Sequence, residues 1–543
     1  MSKLLIIGLD GSSLELISRW REELPCLSSL IGRGISGRLR STVPHDTSPG
    51  WNALFTGKNP GKLNIFGFLN FCTDEDKANG TLRWANMTLQ HGPSLWDLVG
   101  SAGLQVGVVN VPTNFPPRPV NGFMLCGGQL SVVGTRHGIA YPSSLQEEIS
   151  TLVGGYETMP VVDFDIPDRE DEVLAEMYRV QAKQIKAMEH LLASRPWDFA
   201  TYVFSLTDGM HHYFWHHMDP EHPRHDPVKA KRYGGAIRDF YKEVDATIGR
   251  WLELVSTDTN ILVVSDHGCG PQHGYFYPNE WLRQQGLLSL RADRSAARLA
   301  MKLVFLLEKL ALSRLPTRLV EAIARRLPKA LVQKFTLRQR WEDEANSLLA
   351  HIDWAKTRAF AIEGGIHLSH RGDDLDGGAS EVLLNELAEL LRQLPHPVRE
   401  GPAASHVFRR DEIYWGPYSH HGADLYCFID DSAYDPRTTV GGGKVWDSAP
   451  LSGGHRWHGL FIACGPDIKS TGDSVEGLQI YDIAPTALHL LGLPVPKEMD
   501  GRVLTEILAT ESAAGQRPVA YSEPTLVDTT RQGIRRLRAR GIV

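Results

Sequence analysis

Length, composition and charge describe a chain that can bury a large core and has no strong charge bias. Its 543 residues include 57 Lys and Arg against 64 Asp and Glu, giving a formal net charge of −7 at pH 7. This balance is ordinary for a globular protein and gives no sign of a surface that binds duplex nucleic acid. The six cysteines are scattered without a CxxC pair, which argues against a disulfide scaffold and a Cys-rich zinc site.

The first predicted element is a buried strand, KLLIIGLD at residues 3–10, which ends at Asp10. Its apolar run is too short for the hydrophobic part of a secretion signal. Nowhere does the chain contain the roughly 20 successive apolar residues that a membrane-spanning helix needs. We therefore expect a cytoplasmic protein without a transmembrane segment.

The next element is a predicted helix start within STVPHDTSPGWNALFTGKNPG, residues 41–61. Thr47 and Ser48 stand directly before Pro49 and an apolar run, and Asp46 precedes them. Hydroxyl and carboxylate side chains are typical of helix N-caps. A hydroxyl held against a metal ion as a nucleophile is the alternative interpretation, and the local pattern leaves both open.

Three later runs resemble the first strand: QVGVVNV (105–111), FATYVFSL (199–206) and NILVVSD (260–266), with helical segments such as 170–194 between them. This alternation predicts an α/β protein with a mostly parallel sheet. Asp10, Asp208 and Asp266 lie at or just past strand ends. Ligands of such sheets bind beyond the carboxyl ends of the strands, so we expect three carboxylates along one edge.

Histidines accompany two of these carboxylates. Asp208 and His212 are four residues apart, so on a helix they share one face and can reach one metal ion. Asp266 and His267 directly follow a buried strand, and Gly268 allows a sharp turn after them. The second pair is the stronger signal, because a His-rich loop would also explain the first.

A basic helical segment at 295–341 interrupts the alternation; it is rich in Lys and Arg and contains only two Glu. Helices packed on the core would explain it, and the alternatives are a lid over an anionic substrate, a homo-oligomer contact or a helix on a membrane surface. We divide the chain into a first part of the catalytic core (1–290), the basic insertion (291–350), a second part with a small subregion (351–510) and a C-terminal tail (511–543).

A last candidate ligand follows a glycine pair in LSGGHRWHGLFIACGPDI, where His455 is the first choice and His458 the alternative. With it, the chain offers three Asp, three His and one hydroxyl, which is enough for two divalent metal ions with open positions. Mixed nitrogen and oxygen ligands fit Zn²⁺ best, with Mn²⁺ or iron as rivals.

Six pieces in one order carry a resemblance to a known family: IIGLDG, TSPGWNALFTGKNPG, TDGMHHYFW, SDHG, GGHRWHG and YDIAPTALHLLGLPVPKEMDGRVL. Together they resemble the type I phosphodiesterase/nucleotide pyrophosphatase branch of the alkaline phosphatase superfamily, and within it a bacterial phosphohydrolase/phosphomutase-like group. The resemblance implies an alkaline-phosphatase-like α/β sandwich, with a mostly parallel central sheet, helices on both faces and a helical insertion.

The resemblance also assigns roles to the candidate residues. It implies that Thr47 is the nucleophile, with Ser48 as the alternative. Helix-capping preferences predict that Ser48 caps the helix with Pro49 at its first position, and Asp46 is expected to be a solvated or second-layer acid. It divides the ligands into two sets: one ion would be held by Asp10, Thr47, Asp266 and His267, and the other by Asp208, His212 and His455.

The sequence departs from the family pattern near the predicted nucleophile. Leu63 and Asn64 stand where family members commonly have His-Gly, and Phe68 stands where an asparagine helps to hold the phosphoryl oxygens. Asn64 or Asn70 could take over that contact. We expect substrate contacts from Asn64 and from His421, which lies in a predicted rim loop.

The resulting functional hypothesis is a two-metal hydrolase that cleaves phosphodiester or pyrophosphate bonds through a phosphothreonine intermediate. Its substrate would be a phosphorylated, nucleotide-like small molecule. The alternatives are a phosphomonoesterase or phosphomutase of the same superfamily, and a non-catalytic protein that binds metal or phosphorylated ligands. Lys58 and Lys62 follow Thr47 but are expected to be solvated, which favours diesters over monoester dianions.

Overall fold

The computed structural model describes residues 2–128, 138–160, 168–291, 345–346, 348–369, 377–440 and 442–523. The basic segment 295–341 lies outside these residues, as does the tail from residue 524 onward. The division into core, insertion and tail therefore stays a prediction. Within the described ranges, no helix combines the length and the apolar character needed to cross a lipid bilayer.

The strands are numbered in chain order. They are β1 (Lys3–Leu9), β2 (Ile35–Arg40), β3 (Leu69–Asn70), β4 (Arg83–Trp84), β5 (Val106–Val109), β6 (Gly122–Leu125), β7 (Ala140–Tyr141), β8 (Phe199–Phe204), β9 (Thr259–Val264), β10 (Gly268–Pro271), β11 (Gly274–Phe276), β12 (Ala359–Ile362), β13 (Gly365–Leu368), β14 (Ala404–Arg409), β15 (Leu425–Ile429), β16 (Tyr434–Pro436), β17 (Trp446–Asp447), β18 (Gly453–Arg456), β19 (His458–Cys464), β20 (Ser474–Gln479), β21 (Val495–Pro496) and β22 (Tyr521–Ser522).

The helices of the described ranges are numbered in the same way. They are α1 (Leu14–Arg19), α2 (Pro25–Gly32), α3 (Thr47–Thr56), α4 (Pro60–Leu63), α5 (Asp74–Asn79), α6 (Leu95–Ser101), α7 (Ser144–Val153), α8 (Glu170–Ser194), α9 (Leu206–Met218), α10 (Pro227–Tyr233), α11 (Ala236–Leu254), α12 (Pro278–Gln284), α13 (Gly377–Arg392), α14 (Arg410–Ile413), α15 (Ile483–Leu490) and α16 (Ala513–Gln516), with 3₁₀ turns at Ser419–His421, Ile480–Asp482 and Thr505–Ile507.

The main sheet has nine strands in the order β20-β2-β19-β9-β1-β8-β5-β6-β7. β1 runs parallel to both β8 and β9, and β5 runs parallel to both β8 and β6. β2 and β20 are also parallel, whereas β19 is antiparallel to its two neighbours and β7 is antiparallel to β6. The predicted α/β fold with a mostly parallel central sheet is therefore confirmed.

The central strands are buried on both faces. Every residue of β8 and β9 is buried, which is the pattern of strands covered by helices on either side of a sheet. The helix predicted at 170–194 is α8. Its buried positions, among them Val173, Met177 and Met188, belong to the same hydrophobic core as the central strands.

A second, seven-stranded sheet has the order β12-β13-β15-β16-β11-β17, with β14 beside β15. Most of its strand pairs are antiparallel, and it has its own core around Phe276, Trp281 and Phe360. A short ribbon, β10 paired antiparallel with β18, follows β9 and precedes β19 of the main sheet. This ribbon joins distant parts of the chain at the edge where the predicted ligands lie.

Candidate metal centre

Two carboxylates and a histidine meet at the carboxyl edge of the main sheet; we call Asp10, Asp266 and His267 the inner group. β1 and β9 are parallel with Gly8 opposite Val264, so the residues after both strands leave the sheet at the same edge. One ligand atom of each inner-group residue lies within 4.8 Å of the others. All three residues are at most 2 % exposed.

A second trio, Asp208, His212 and His455, forms what we call the outer group. Asp208 and His212 lie one turn apart on α9, and His212 Nε2 is 3.0 Å from Asp208 Oδ2. His455, on β18, places its Nε2 3.7 Å from Asp208 Oδ1 and 3.2 Å from His212 Nε2. The outer group is more accessible than the inner one, with side chains 14–23 % exposed.

The β10–β18 ribbon brings the two groups together. Cys269 pairs with His455 across it, and the rings of His267 and His455 lie 3.8 Å apart between centroids. A Cβ on Gly453 would come within 2.2 Å of the His211 carbonyl oxygen, so glycine allows the ribbon to reach α9. This pairing selects His455 over His458, which is exposed on β19 and belongs to neither group.

The hydrogen bonds of the histidines indicate which ring nitrogens carry lone pairs. The Nδ1 of His267 donates to the Gly268 carbonyl at 3.0 Å, and that of His212 donates to the Gly453 carbonyl at 2.6 Å. In the neutral form of each ring, Nε2 is then the nitrogen that carries the lone pair. His267 Nε2 faces Asp266 Oδ2 at 3.2 Å. An Nδ1–H held by a carbonyl oxygen is the usual second layer of a histidine metal ligand, and it leaves Nε2 to face the ion.

The inner carboxylates lack the positive charge that their burial requires. Burial, with Asp266 and Asp208 nearby, raises the pKa of Asp10 well above its usual range, and burial together with Asp208 raises that of Asp266 to about 7. Asp10 Oδ1 and Asp266 Oδ2 accept no hydrogen bond from any residue that the structure describes. Buried carboxylates of this kind are stabilised by a cation, so the residues fit a divalent metal ion.

The pKa of Asp208 is shifted in the opposite direction to those of the inner carboxylates. Burial acts to raise its pKa, but the imidazoles of His212 and His455 outweigh burial and hold the pKa well below the usual range. The pKa of His455 is in turn raised to about 9, because Asp208 and Asp46 outweigh its burial. The outer group can therefore balance its own charge without a metal ion, by protonating its histidines.

Thr47 lies beside the inner group as the first residue of α3, with its Oγ1 3.3 Å from His267 Nε2. The prediction that Ser48 caps this helix with Pro49 at its first position is wrong. Asp46 is the N-cap, and its Oδ1 accepts a hydrogen bond from the Thr47 amide at 2.8 Å. Ser48 is already inside the first turn, and its buried hydroxyl has no hydrogen-bond partner among the described residues.

Asp46 also reaches the outer group, since its Oδ1 is 3.5 Å from His455 Nδ1. A carboxylate on Nδ1 leaves Nε2 of His455 facing Asp208. Of the two roles predicted for Asp46, the geometry favours the second-layer acid. Sequence reasoning had no signal for this contact, because Asp46 and His455 are distant in the chain.

Asn64 and His421, the predicted substrate contacts, lie together but in neither group. His421 Nδ1 is 2.8 Å from Asn64 Oδ1, and Asn64 Nδ2 donates to the Cys72 carbonyl at 2.8 Å. Asn70, the alternative to Asn64, braces its own turn by accepting from the Phe66 amide and donating to the Gly67 carbonyl. A substrate role for Asn64 and His421 stays a prediction.

Sequence reasoning missed Glu363, which lines a cavity together with Asn70, His367, His421 and Tyr426. Burial and the nearby Asp46 carboxylate raise its pKa to about 8. Its Oε2 accepts a hydrogen bond from the Leu69 amide at 3.1 Å. A glutamate in the turn between β12 and β13 gives no sequence signal that could have found it.

Comparisons with known proteins identify a family. The profile described as "Type I phosphodiesterase / nucleotide pyrophosphatase" matches residues 4–373. Phosphonoacetate hydrolase from Sinorhizobium meliloti, solved with phosphonoformate, shares 14 % identity and a TM-score of 0.51, over 90 % of this chain and 95 % of that one. Murine ectonucleotide pyrophosphatase/phosphodiesterase 5, solved with AMP, shares 13 % identity with this chain at a TM-score of 0.49. The match covers 94 % of this chain and 100 % of that one. No curated protein matches the chain.

Proposed function

Because the chain belongs to the type I phosphodiesterase/nucleotide pyrophosphatase family, we propose that it is a metal-dependent hydrolase of phosphodiester or pyrophosphate bonds with Thr47 as its nucleophile. One observation carries the proposal. The Thr47 hydroxyl lies 3.3 Å from a ligand nitrogen of the inner group, while its neighbour Asp46 contacts His455 of the outer group. The hydroxyl is thus next to the inner group, and the residue before it contacts the outer group.

The two groups would hold two divalent cations, for which Zn²⁺ is the best fit to the ligand types and Mn²⁺ or iron the rivals. One would take Asp10, Asp266 and His267 with the Thr47 hydroxyl, and the other Asp208, His212 and His455. When bound, such cations supply Lewis acidity, which lowers the pKa of a hydroxyl and stabilises charge on phosphoryl oxygens.

The chain's own residues would orient and carry the reaction. The hydroxyl oxygen of Thr47 passes its proton to solvent and attacks phosphorus, the bond to the leaving oxygen breaks, that oxygen takes up a proton from solvent where its pKa requires one, and a phosphothreonine forms. Water then displaces Thr47 from phosphorus and restores the hydroxyl. The N-terminus of α3 favours negative charge at this point, because its first amides lack helical partners. Asp46 keeps His455 oriented through both steps.

Two observations favour diesters over monoesters. Lys58 was expected to be solvated but is 5 % exposed, with its Nζ 3.6 Å from Glu498 Oε1. Lys62 Nζ donates to Asp500 Oδ1 at 2.5 Å. Both ammonium groups are therefore next to carboxylates, whereas a monoester dianion needs an extra positive charge at phosphorus. We propose a phosphorylated, nucleotide-like small molecule with a single negative charge on the reacting phosphoryl group.

The test compares hydrolysis of a bis-aryl phosphate with that of the matching mono-aryl phosphate by zinc- and manganese-loaded protein, with Thr47→Ala as control. Faster turnover of the diester, lost in the variant, supports the proposal. Faster turnover of the monoester would make the protein a phosphatase. Absence of turnover with either compound would favour a phosphomutase or a protein that only binds phosphorylated ligands.

A further inference from the structure

Outside the two groups, three more ligand side chains converge on one point. Asp74, the first residue of α5, meets His420 and His421 of the 3₁₀ turn, and one ligand atom of each lies within 4.8 Å of the others. His420 Nε2 is 3.1 Å and His421 Nε2 3.3 Å from the same oxygen, Asp74 Oδ1. These residues are absent from the inner and outer groups.

The orientation of His421 is fixed from behind by Asn64. Because Asn64 Nδ2 donates to the Cys72 carbonyl, its Oδ1 is the atom that faces His421 Nδ1 at 2.8 Å. An amide oxygen only accepts, so the proton of His421 lies on Nδ1 and the lone pair on Nε2. In the neutral ring that lone pair points at a carboxylate oxygen of Asp74, and two electron-rich atoms in contact are stabilised by a positive charge between them, either a metal ion or a second proton on the ring.

The same arrangement occurs at His212 and His267, where a carbonyl oxygen takes the place of the Asn64 amide oxygen. A backing acceptor on Nδ1 is the usual second layer of a histidine metal ligand. Asn64 and His421 are 1 % and 5 % exposed, so this pair is built into the protein and is not a chance surface contact.

The turn that carries the histidines is anchored to the core on the same side. The Tyr418 amide donates to the Gly61 carbonyl at 2.9 Å, and the Tyr418 hydroxyl is 2.9 Å from His91 Nδ1. Lys77 Nζ, from α5, donates to the carbonyl oxygen of His420 at 2.5 Å. The turn is therefore held in place by contacts that do not involve the ligand atoms of Asp74, His420 and His421.

We propose that Asp74, His420 and His421 bind a third divalent cation of the zinc class. Two imidazole nitrogens and one carboxylate oxygen supply three ligands of a tetrahedral Zn²⁺ site. The Asp74 side chain is 85 % exposed, which leaves the fourth position open to water. The ion ties the 3₁₀ turn to α5 and fixes His421, which also lines the Glu363 cavity.

The test counts zinc ions per chain in the full-length protein, at free zinc buffered in the micromolar range. The variant is Asp74→Asn combined with His420→Ala, because both side chains are exposed and their replacement leaves the core intact. His406→Ala is the matched control, since His406 is also exposed but belongs to no ligand group of the described residues. Anomalous diffraction from zinc-soaked crystals locates the ions.

We expect the count to fall by one ion per chain in the double variant and to stay at the wild-type value in His406→Ala. The anomalous peak between Asp74, His420 and His421 should disappear with it. An equal count in wild type and double variant, or no peak at this position in wild type, would overturn the proposal and leave a second proton on His421 as the occupant. The difference in zinc count between wild type and the double variant depends on this site alone. The result is therefore independent of whether the proposed hydrolase activity is found.

Discussion

The inner and outer groups use the same ligand types but balance charge in opposite ways. The inner carboxylates are buried at the ends of two core strands, and the pKa of Asp10 is raised well above its usual range. In the outer group, Asp208 is paired with two histidines and its pKa is held well below that range. The surroundings of the inner carboxylates therefore disfavour their charged form, whereas those of Asp208 favour it.

The difference has a consequence for how each group forms. The inner group is produced by strand order, since adjacent parallel strands must end at one edge. The outer group needs a helix and a ribbon strand from remote parts of the chain, and 21 % of the His455 side chain is exposed. We expect the inner group to be the more rigid half of the site and the outer group to be the half that solvent reaches.

The largest expected loss of turnover distinguishes His455 from His458, the two histidines between which the sequence spacing could not decide. His455→Ala removes an outer-group ligand and should lower diester turnover by about 100-fold or more, because even the second layer of a metal ligand is worth about 10–100-fold. His458→Ala, three residues away and exposed, is the control and should retain turnover close to wild type. Equal losses in both variants would remove His455 from the outer group.

A smaller effect tests the link between the groups. Asp46→Ala removes the N-cap of α3 and the carboxylate on His455, and should cost about 10–100-fold in turnover and about 1 kcal/mol in the free energy of unfolding. Asp46→Asn should keep most of the capping and still lose turnover. Ser48→Ala is the matched control, with an expected stability change within about 0.5 kcal/mol; a larger loss there would return the capping role to Ser48.

Because the two groups balance charge differently, we expect two isosteric substitutions to change the free energy of unfolding of metal-free protein in opposite directions. Asp10→Asn relieves an uncompensated buried charge and should raise the free energy of unfolding at neutral pH by about 1 kcal/mol. Asp208→Asn breaks the pairing with His212 and His455 and should lower it by a similar amount. Denaturant titration in the presence of a chelator measures both changes, and shifts of the same sign would contradict the contrast between the groups.

The smallest effect concerns Glu363, whose pKa is raised to about 8 in the folded chain. The unfolded chain ionises a glutamate near pH 4.3. The stabilising contribution of Glu363 is thus fully present below about pH 4.3 and is lost as the pH rises toward 8. Glu363→Gln should be more stable than wild type by at least about 1 kcal/mol at pH 8, with the difference shrinking toward pH 5. Urea unfolding at both pH values checks this, and a constant difference would mean that Glu363 has an ordinary pKa.

Local patterns predicted the parts of the site that depend on local structure. Apolar strands followed by Asp10 and Asp266 predicted two carboxylates at a sheet edge, because strand direction determines where the residues after a strand lie. The spacing of Asp208 and His212 predicted one shared face of α9. The family resemblance added His455, which strand and helix patterns alone left undecided against His458.

The parts that sequence reasoning missed depend on contacts between distant segments. Asp46, Thr47 and Ser48 are all acceptable near a helix start, and the choice of Asp46 as cap coincides with its contact to His455 across the site. Glu363 acquires its unusual pKa from burial and from Asp46, neither of which is visible in its neighbours along the chain. Lys58 becomes buried beside Glu498 for the same reason.

The most direct test of the account is to look for the covalent intermediate on Thr47. Metal-loaded protein is mixed with a bis-aryl phosphate, quenched with acid during turnover, digested and analysed by mass spectrometry, with Thr47→Ala treated in parallel. The account predicts a peptide that carries one phosphoryl group on Thr47 and its absence in the variant. Turnover without a phosphoryl group on Thr47, or a phosphoryl group on Ser48, would contradict it.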